Sequence, residues 1–295
     1  MGVFIPFYDG GVTAHKENIQ LPIIAILGLG SMGGAILSGL RNPLVRPSGG
    51  IRVTNRTASK AAAFDGDDDV IAYALENDPD ANRRAVTGAQ IVLVAVKPWM
   101  VSDLMAEIAD ALEPGTIVVS VASGVASKTY EDALPPNISV LRSMPNTPAV
   151  VGKAVTGLSH GSRSSEADLK LVTAVFETVG TVIVVPESQL DALSTISGSG
   201  PAYVFLFIEK LMAAAVSLGF DAEQARVLVE GTFAGASELV VATGTNPAEL
   251  RRQVTSPQGT TERAIAVFQK HIPDKVFVDA VEAALARARE LGSSP

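Results

Sequence analysis

Cysteine is absent from all 295 residues, and that one gap removes disulfides, thiolate nucleophiles and cysteine-ligated metals together. Histidine is nearly as scarce. His15, His160 and His271 stand far apart, with no paired metal-ligand spacing, so no metal is expected. A basic face is also missing: the formal net charge is −8, which argues against nucleic acid or an anionic membrane as partner. Charged residues are only 18% of the chain against 47% hydrophobic, a globular composition with much surface to bury and no bias toward disorder. No segment is expected to cross a membrane. The most apolar helical stretch, Tyr203 to Phe220, is interrupted by Glu209-Lys210 and is read as a packed core helix. The first twenty residues lack the basic n-region and apolar h-region of a signal peptide, so residues 1–20 are read as an N-terminal extension and the expected location is cytoplasmic.

Glycine is plentiful where it matters. Gly28-Leu29-Gly30-Ser31-Met32-Gly33 follows the apolar, β-branched run Pro22 to Leu27 and opens a small-residue helical segment, Gly34 to Leu40. Three glycines at this spacing allow a sharp turn, close approach of the backbone to a pyrophosphate, and tight packing of helix on strand. The helix start then offers free N–H groups and a positive dipole end to the phosphates. Gly28, Gly30, Ser31, Met32 and Gly33 are therefore candidate cofactor contacts.

Short β-branched runs alternate with helical stretches as far as about Val185. The predicted strands are Ile23–Leu27, Ile51–Thr54, Val70–Tyr73, Ile91–Val96, Ile117–Val121, Val140–Arg142, Ala154–Leu158 and Thr181–Val185. Ala58–Phe64, Val101–Ala111, Lys128–Leu134 and Glu166–Val179 read as helices between them. That alternation predicts an α/β Rossmann-like, doubly wound sheet over residues 21–186. Beyond Glu187 the strand signal stops, and residues 187–295 read as an all-helical C-terminal dimerisation domain. Asp221 with Gln224, and Asn246-Pro247 with Glu249, look like capping boxes, and Asp274 looks like the cap of a last helix to about Glu290. Helices such as Leu211–Val216 and Val227–Val241 carry more small apolar surface than one small domain needs, which points to a homodimer interface, with a tight internal core as the alternative.

The end of the second strand bears on the choice of nicotinamide cofactor. NAD enzymes place a carboxylate there for the ribose hydroxyls. This chain has Thr54-Asn55-Arg56-Thr57 instead, with no carboxylate before Asp65. Asn55, Arg56 and Thr57 suit a 2′-phosphate, so NADPH is expected and NADH is a weaker possibility. Other strand ends fit the same cleft: Val96-Lys97-Pro98, the small residues around Gly124, and Met144-Pro145-Asn146-Thr147-Pro148, a rigid turn presenting Asn146 and Thr147.

The helical half holds two further features. Ser197-Gly198-Ser199-Gly200-Pro201 breaks an otherwise helical stretch, with Pro201 at the restart. Ser256-Pro257-Gln258-Gly259-Thr260-Thr261 precedes another helix and could hold a carboxylate at its N-terminus, or simply be capped by Thr260 or Thr261.

With those segments in view, the chain resembles the pyrroline-5-carboxylate reductase family from about Ile23 to Gly292, through Ile26–Gly33, Val96–Pro98, Arg142–Pro148, Ser197–Tyr203 and Ser256–Thr261. The resemblance implies a Rossmann domain for the cofactor and a helical domain that dimerises, shares the substrate site, and in some members builds higher assemblies of dimers. It places the substrate carboxylate on Ser256, Gly259, Thr260 and Thr261, and the ring nitrogen on Thr261 as the catalytic contact. Gln258 departs from the glycine usual in the family. The implied reaction is NADPH-dependent reduction of the C=N bond of 1-pyrroline-5-carboxylate to L-proline, the last step of proline biosynthesis. Two other readings stand beside it: another NADP-dependent imine or β-hydroxyacid reductase, and a non-catalytic NADPH-sensing dimer. The first would usually need a lysine on the interdomain helix, where Ser197–Gly200 lie.

Overall fold

A computed structural model describes residues 20–42 and 47–293. The N-terminal extension and His15 therefore lie outside the described residues. Contacts divide the described residues into two compact units, one built from residues 20–201 together with those from Ala283, the other from residues 202–282.

All eight expected strands form: β1 (Ile24–Leu27), β2 (Ile51–Asn55), β3 (Val70–Ala74), β4 (Ile91–Val94), β5 (Ile117–Ser120), β6 (Ser139–Met144), β7 (Ala154–His160) and β8 (Gly180–Val184). They make one sheet in the order β3-β2-β1-β4-β5-β6-β7-β8. Every pairing is parallel except β6 with β7. The exception has a simple cause. The link from Pro145 to Lys153 is too short for a crossover helix, so the chain must turn back on itself. Several strand ends fall short of the sequence reading: β4 stops at Val94, leaving Val96 beyond the strand, β1 starts at Ile24, β5 stops at Ser120 and β8 at Val184.

Alternation within β1 explains the two-sided core. Ile24 and Ile26 face one apolar cluster, packed by α1 (Ser31–Leu40) and α6 (Glu166–Glu177). Ala25 and Leu27 face the other, packed by α3 (Ala81–Val86), α4 (Val101–Ile108) and α5 (Ser127–Ala133). The short α2 (Ala58–Ala61) follows β2. Each fully buried aliphatic side chain in such a core contributes about 1.5–3 kcal/mol. α6 starts from a capping box of Ser165 and Asp168, which binary patterning alone did not reveal.

The chain then turns helical: α7 (Glu187–Leu193), α8 (Gly200–Ser217), α9 (Ala222–Thr243), α10 (Pro247–Gln253), α11 (Thr260–His271) and α12 (Asp274–Ser293). The Asp221–Gln224 capping box is present in both directions. Two other caps differ from expectation. The Asn246 side chain accepts from the Ala248 N–H, but no capping box closes with Glu249, whose carboxylate turns to Arg252 and Gln253. Asp274 is the first helical residue of α12, where its charge suits the helix dipole without capping.

The expected core helix at Tyr203–Phe220 is also corrected. Residues Glu187–Ser217 form one helix long and apolar enough to cross a membrane by length and composition, and only 6% of its most apolar window is buried. Val204, Phe205, Leu206, Phe207 and Leu211 are exposed, and α8 has no buried residue within the chain.

Candidate active site

The glycine loop leaves β1 at its carboxyl end and enters α1 at Ser31. Gly28 has φ +90, and a Cβ there would stand 2.9 Å from Val96 Cγ1 and 3.1 Å from the Ala95 carbonyl oxygen. Gly33 is required by packing, since its Cβ would meet the Gly28 carbonyl oxygen at 2.7 Å. Gly30 is different: a Cβ there would meet nothing within 4 Å. Open space over Gly30, beside a helix start with no side-chain cap and no acidic residue in its first turn, fits a pyrophosphate. Ser31 is exposed at that start and Met32 is half-buried behind it.

Thr54, near the end of β2, holds the loop in place. Its Oγ1 accepts from the Gly28 N–H at 3.1 Å and its carbonyl accepts from the Leu29 N–H at 3.0 Å. A threonine next to the cofactor-discriminating turn was the available signal, and sequence reasoning passed over it. Beyond it, Asn55 is buried with its Nδ2 donor unpartnered, while Arg56 is exposed and Thr57 half-exposed before α2. A buried orphan amide beside a free guanidinium is a donor set lacking its acceptor. It fits the phosphorylated adenine ribose of NADPH.

On the other side of the switch point, Val96 lines the glycine turn, and Lys97 and Pro98 are exposed as the chain enters a single 3₁₀ turn with Trp99. Gly124 follows β5 with φ +79. These residues share the carboxyl edge of the sheet, where ligands of open α/β sheets bind.

Asn146 is placed differently from expectation. It is buried, and its amide donates to the Ser197 carbonyl at 2.9 Å while accepting from the Val155 N–H at 2.9 Å. With both ends engaged, it braces the β6–β7 turn instead of being presented, and Thr147 alone is exposed. The Ser197–Gly200 break is not a break either. The helix widens into a π turn over Ser194–Gly198, with the Ser199 N–H reaching the Ser194 carbonyl, and continues into α8 with Pro201 as its second residue. Gly198 permits close approach to Met144, whose Cε would stand 3.0 Å from a Cβ there. Arg142 supports the same region. Its buried guanidinium pairs with Asp191 at 2.7 Å and Glu187 at 3.5 Å on α7, and Glu187 also caps α5 by accepting from the Ser127 N–H. Below it, Tyr130 lies 2.7 Å from Ser120 Oγ, and burial pushes its phenol up to about 12.

In the helical unit, α11 begins at Thr260 after Gly259, and no side chain caps it. Neither threonine is the cap. Glu262 instead reaches back to accept from the Gln258 N–H at 2.9 Å. Gln258 has φ +60, the one non-glycine residue with positive φ among the described residues. Gly259 lets the turn close, because its Cβ would sit 3.0 Å from the Ser256 carbonyl oxygen. Ser256 and Thr260 are exposed and Thr261 is half-buried. A cleft of about 380 Å³ between α10 and α11 lies alongside, bordered by Arg251, Arg252, Thr255 and Glu262. Among the described residues no group of three or more histidine, aspartate or glutamate side chains is gathered as a metal site would need.

Comparison with known proteins places this arrangement. Residues 187–291 match the family model for pyrroline-5-carboxylate reductase dimerisation, and residues 23–124 match that for coenzyme F420-dependent NADP oxidoreductases. The chain is 36% identical over 272 residues to pyrroline-5-carboxylate reductase of Corynebacterium melassecola, covering 91% of this chain and 98% of that one. It is 35% identical over 274 residues to the Pseudomonas aeruginosa enzyme, covering 92% and 98%. A solved pyrroline-5-carboxylate reductase from Coxiella burnetii superposes with a TM-score of 0.83 at 36% identity, over 92% of this chain and 98% of that one. The Plasmodium falciparum enzyme, solved with NADP bound, superposes with a TM-score of 0.78 at 26% identity, over 94% and 99%. By identity sustained over nearly the whole length of these relatives, and by the same fold, the chain belongs to the pyrroline-5-carboxylate reductase family.

Proposed function

We propose that this protein reduces 1-pyrroline-5-carboxylate to L-proline with NADPH, closing proline biosynthesis, and that Ser256, Gly259, Thr260 and Thr261 bind the substrate. The observation that carries the reading is the uncapped start of α11, in a chain that also holds a complete dinucleotide loop. A small carboxylate satisfies the free N–H groups of that first helical turn and is favoured by the dipole. Gly259 lets the carboxylate approach, and Ser256 and Thr260 supply hydroxyls.

The bound nicotinamide supplies a hydride to the imine carbon. A protonated C=N carbon is already electrophilic, so the chain needs no strong general acid, in keeping with its lack of cysteine and scattered histidines. As the hydride arrives, the C=N π electrons pass to nitrogen, which becomes an amine. Thr261 hydrogen-bonds that nitrogen and fixes the ring's orientation. Most of the rate enhancement is then proximity and alignment. Gly28, Gly30, Ser31, Met32 and Gly33 cradle the pyrophosphate; Asn55, Arg56 and Thr57 take the 2′-phosphate; Val96, Lys97, Pro98 and Gly124 line the nicotinamide half.

We further propose that the exposed apolar faces of α8 and α9 are buried in a homodimer, and that pairs of dimers can associate further. The match to a dimerisation family over these helices supports the first point. We propose a cytoplasmic location, suited to a charged substrate and a charged cofactor that are both water-soluble.

Thr261→Ala should lower kcat/KM for 1-pyrroline-5-carboxylate about 10–100-fold, the size of one hydrogen bond to a developing amine. Thr261→Ser should retain much of the activity, and NADPH affinity should stay level in both. Steady-state kinetics with a parallel NADPH titration decide it. Unchanged imine reduction by Thr261→Ala would remove the assigned role.

A further inference from the structure

We propose that Glu76 sets how far this enzyme prefers NADPH over NADH, by placing a negative charge at the mouth of the 2′-phosphate site. Beyond the β2–β3 ladder the two turns stay bonded through their backbones: the Leu75 N–H donates to the Asn55 carbonyl at 2.9 Å and the Glu76 N–H to the Arg56 carbonyl at 3.0 Å. Glu76 therefore lies directly beside Arg56. Its side chain reaches across the turn, and Oε2 accepts from the Ala58 N–H at 2.9 Å. The carboxylate is exposed and forms no ion pair among the described residues, and neither does the guanidinium of Arg56. The turn thus presents the buried, unpartnered Asn55 amide, a free Arg56, and one unneutralised carboxylate.

The three groups act differently on the two cofactors. A 2′-phosphate carries nearly two negative charges, so Arg56 and Asn55 attract it while Glu76 repels it. The 2′-hydroxyl of NADH is neutral and meets no such repulsion. A carboxylate next to this turn is also what NAD enzymes use to hold ribose hydroxyls, there supplied by the second strand itself. Here it arrives from the turn that follows the neighbouring strand β3. The inference rests on the reading of Asn55-Arg56-Thr57 as the 2′-phosphate site, and the experiment separates the two.

Glu76→Gln keeps an oxygen acceptor for the Ala58 N–H and removes only the charge. Binding is measured on the full-length protein by quenching of its single tryptophan, Trp99, or by calorimetry, with NADPH, NADH, 2′,5′-ADP and 5′-AMP. Repulsion between exposed like charges is worth about three- to tenfold in a binding constant. Glu76→Gln should therefore tighten NADPH and 2′,5′-ADP about three- to tenfold and leave NADH and 5′-AMP within about twofold. The gain should shrink in high salt. Arg56→Ala, measured in parallel, should weaken the same two phosphorylated ligands. If Glu76→Gln moves all four ligands alike, or none, while Arg56→Ala stays selective, Glu76 is only a brace for the turn and the proposal is wrong. If Arg56→Ala is not selective either, the 2′-phosphate reading falls and takes the proposal with it.

Discussion

The two units of this chain bury their apolar residues in opposite ways. In the sheet unit β1, β4 and β5 are fully buried, and both faces of the sheet are covered by helices of the same chain. In the helical unit α8 has no buried residue, and α9 buries only Ala225 and Val229. Phenylalanines at 205, 207, 220, 268 and 277 stay exposed. A unit of that kind cannot gain enough from burial to offset its ordering entropy while it stands alone. The sheet unit closes its core within a single chain, whereas the helical unit leaves exposed the apolar surface that the proposed homodimer would bury.

The sharpest way to break this contrast is to put the same charge on an exposed apolar residue in each unit. Leu206→Glu should abolish the dimer, leaving a poorly soluble and inactive protein, because an unpaired charge in a desolvated interface costs about 3–5 kcal/mol. Ile71→Glu, on the edge strand β3 and equally exposed in the chain, should change stability by less than about 0.5 kcal/mol. Sedimentation and thermal melts of the pair test this. Equal behaviour of the two variants would erase the difference between the units.

The next effect is confined to the sheet unit. Arg56→Ala should weaken NADPH by about 1.5–3 kcal/mol, the value of a charge-assisted contact to phosphate, with NADH affinity and melting temperature held. Titration with both cofactors gives the answer, and equal loss toward both would show that Arg56 does not read the 2′-phosphate.

A pH dependence of similar size separates a closed core from an open one. Tyr130 is buried in the sheet unit with its phenol at about 12, against 10 in the unfolded chain. The folded state therefore holds the proton more tightly. That contribution is intact below pH 10 and is lost as pH rises toward 12, amounting to about 2–3 kcal/mol over the interval. Tyr130→Phe should flatten this part of the stability curve, as followed by denaturant melts across the alkaline range. An unchanged slope would mean that Tyr130 does not titrate with unfolding.

The smallest expected effect lies in the helical unit. Gln258 holds φ +60 at a turn where glycine carries no Cβ penalty, so Gln258→Gly should stabilise the protein by less than about 1 kcal/mol. A fall in melting temperature would show that the Gln258 side chain contributes more than its backbone strain costs.

These contrasts also mark what the sequence could disclose. Strands buried on both faces announce themselves as β-branched runs, so the sheet was legible almost strand by strand, and the glycine loop with it. The antiparallel turn of β7 was not, because pattern gives a strand its place in the chain and not its direction. Asn146 lay in a proline-framed turn that suggested presentation, whereas a buried amide needed both its partners in space to be understood. Ser197–Gly200 looked like a break because glycine and proline end ordinary helices, but a π turn accommodates them at the same composition. Glu76 was invisible for a fourth reason: only the backbone bonds that continue past the ends of β2 and β3 bring it to the cofactor-discriminating turn. Apolar excess on α8 and α9 could be counted in the sequence, but whether it faced inward or outward could not.

The central claim is that this chain unites a dinucleotide loop and an uncapped helix start into an imine reductase. The direct measurement is NADPH oxidation by the purified full-length protein with 1-pyrroline-5-carboxylate, with L-proline quantified in the same reaction. Saturable consumption with one proline formed per NADPH oxidised is the predicted result. A folded, dimeric, NADPH-binding protein that forms no proline would contradict it.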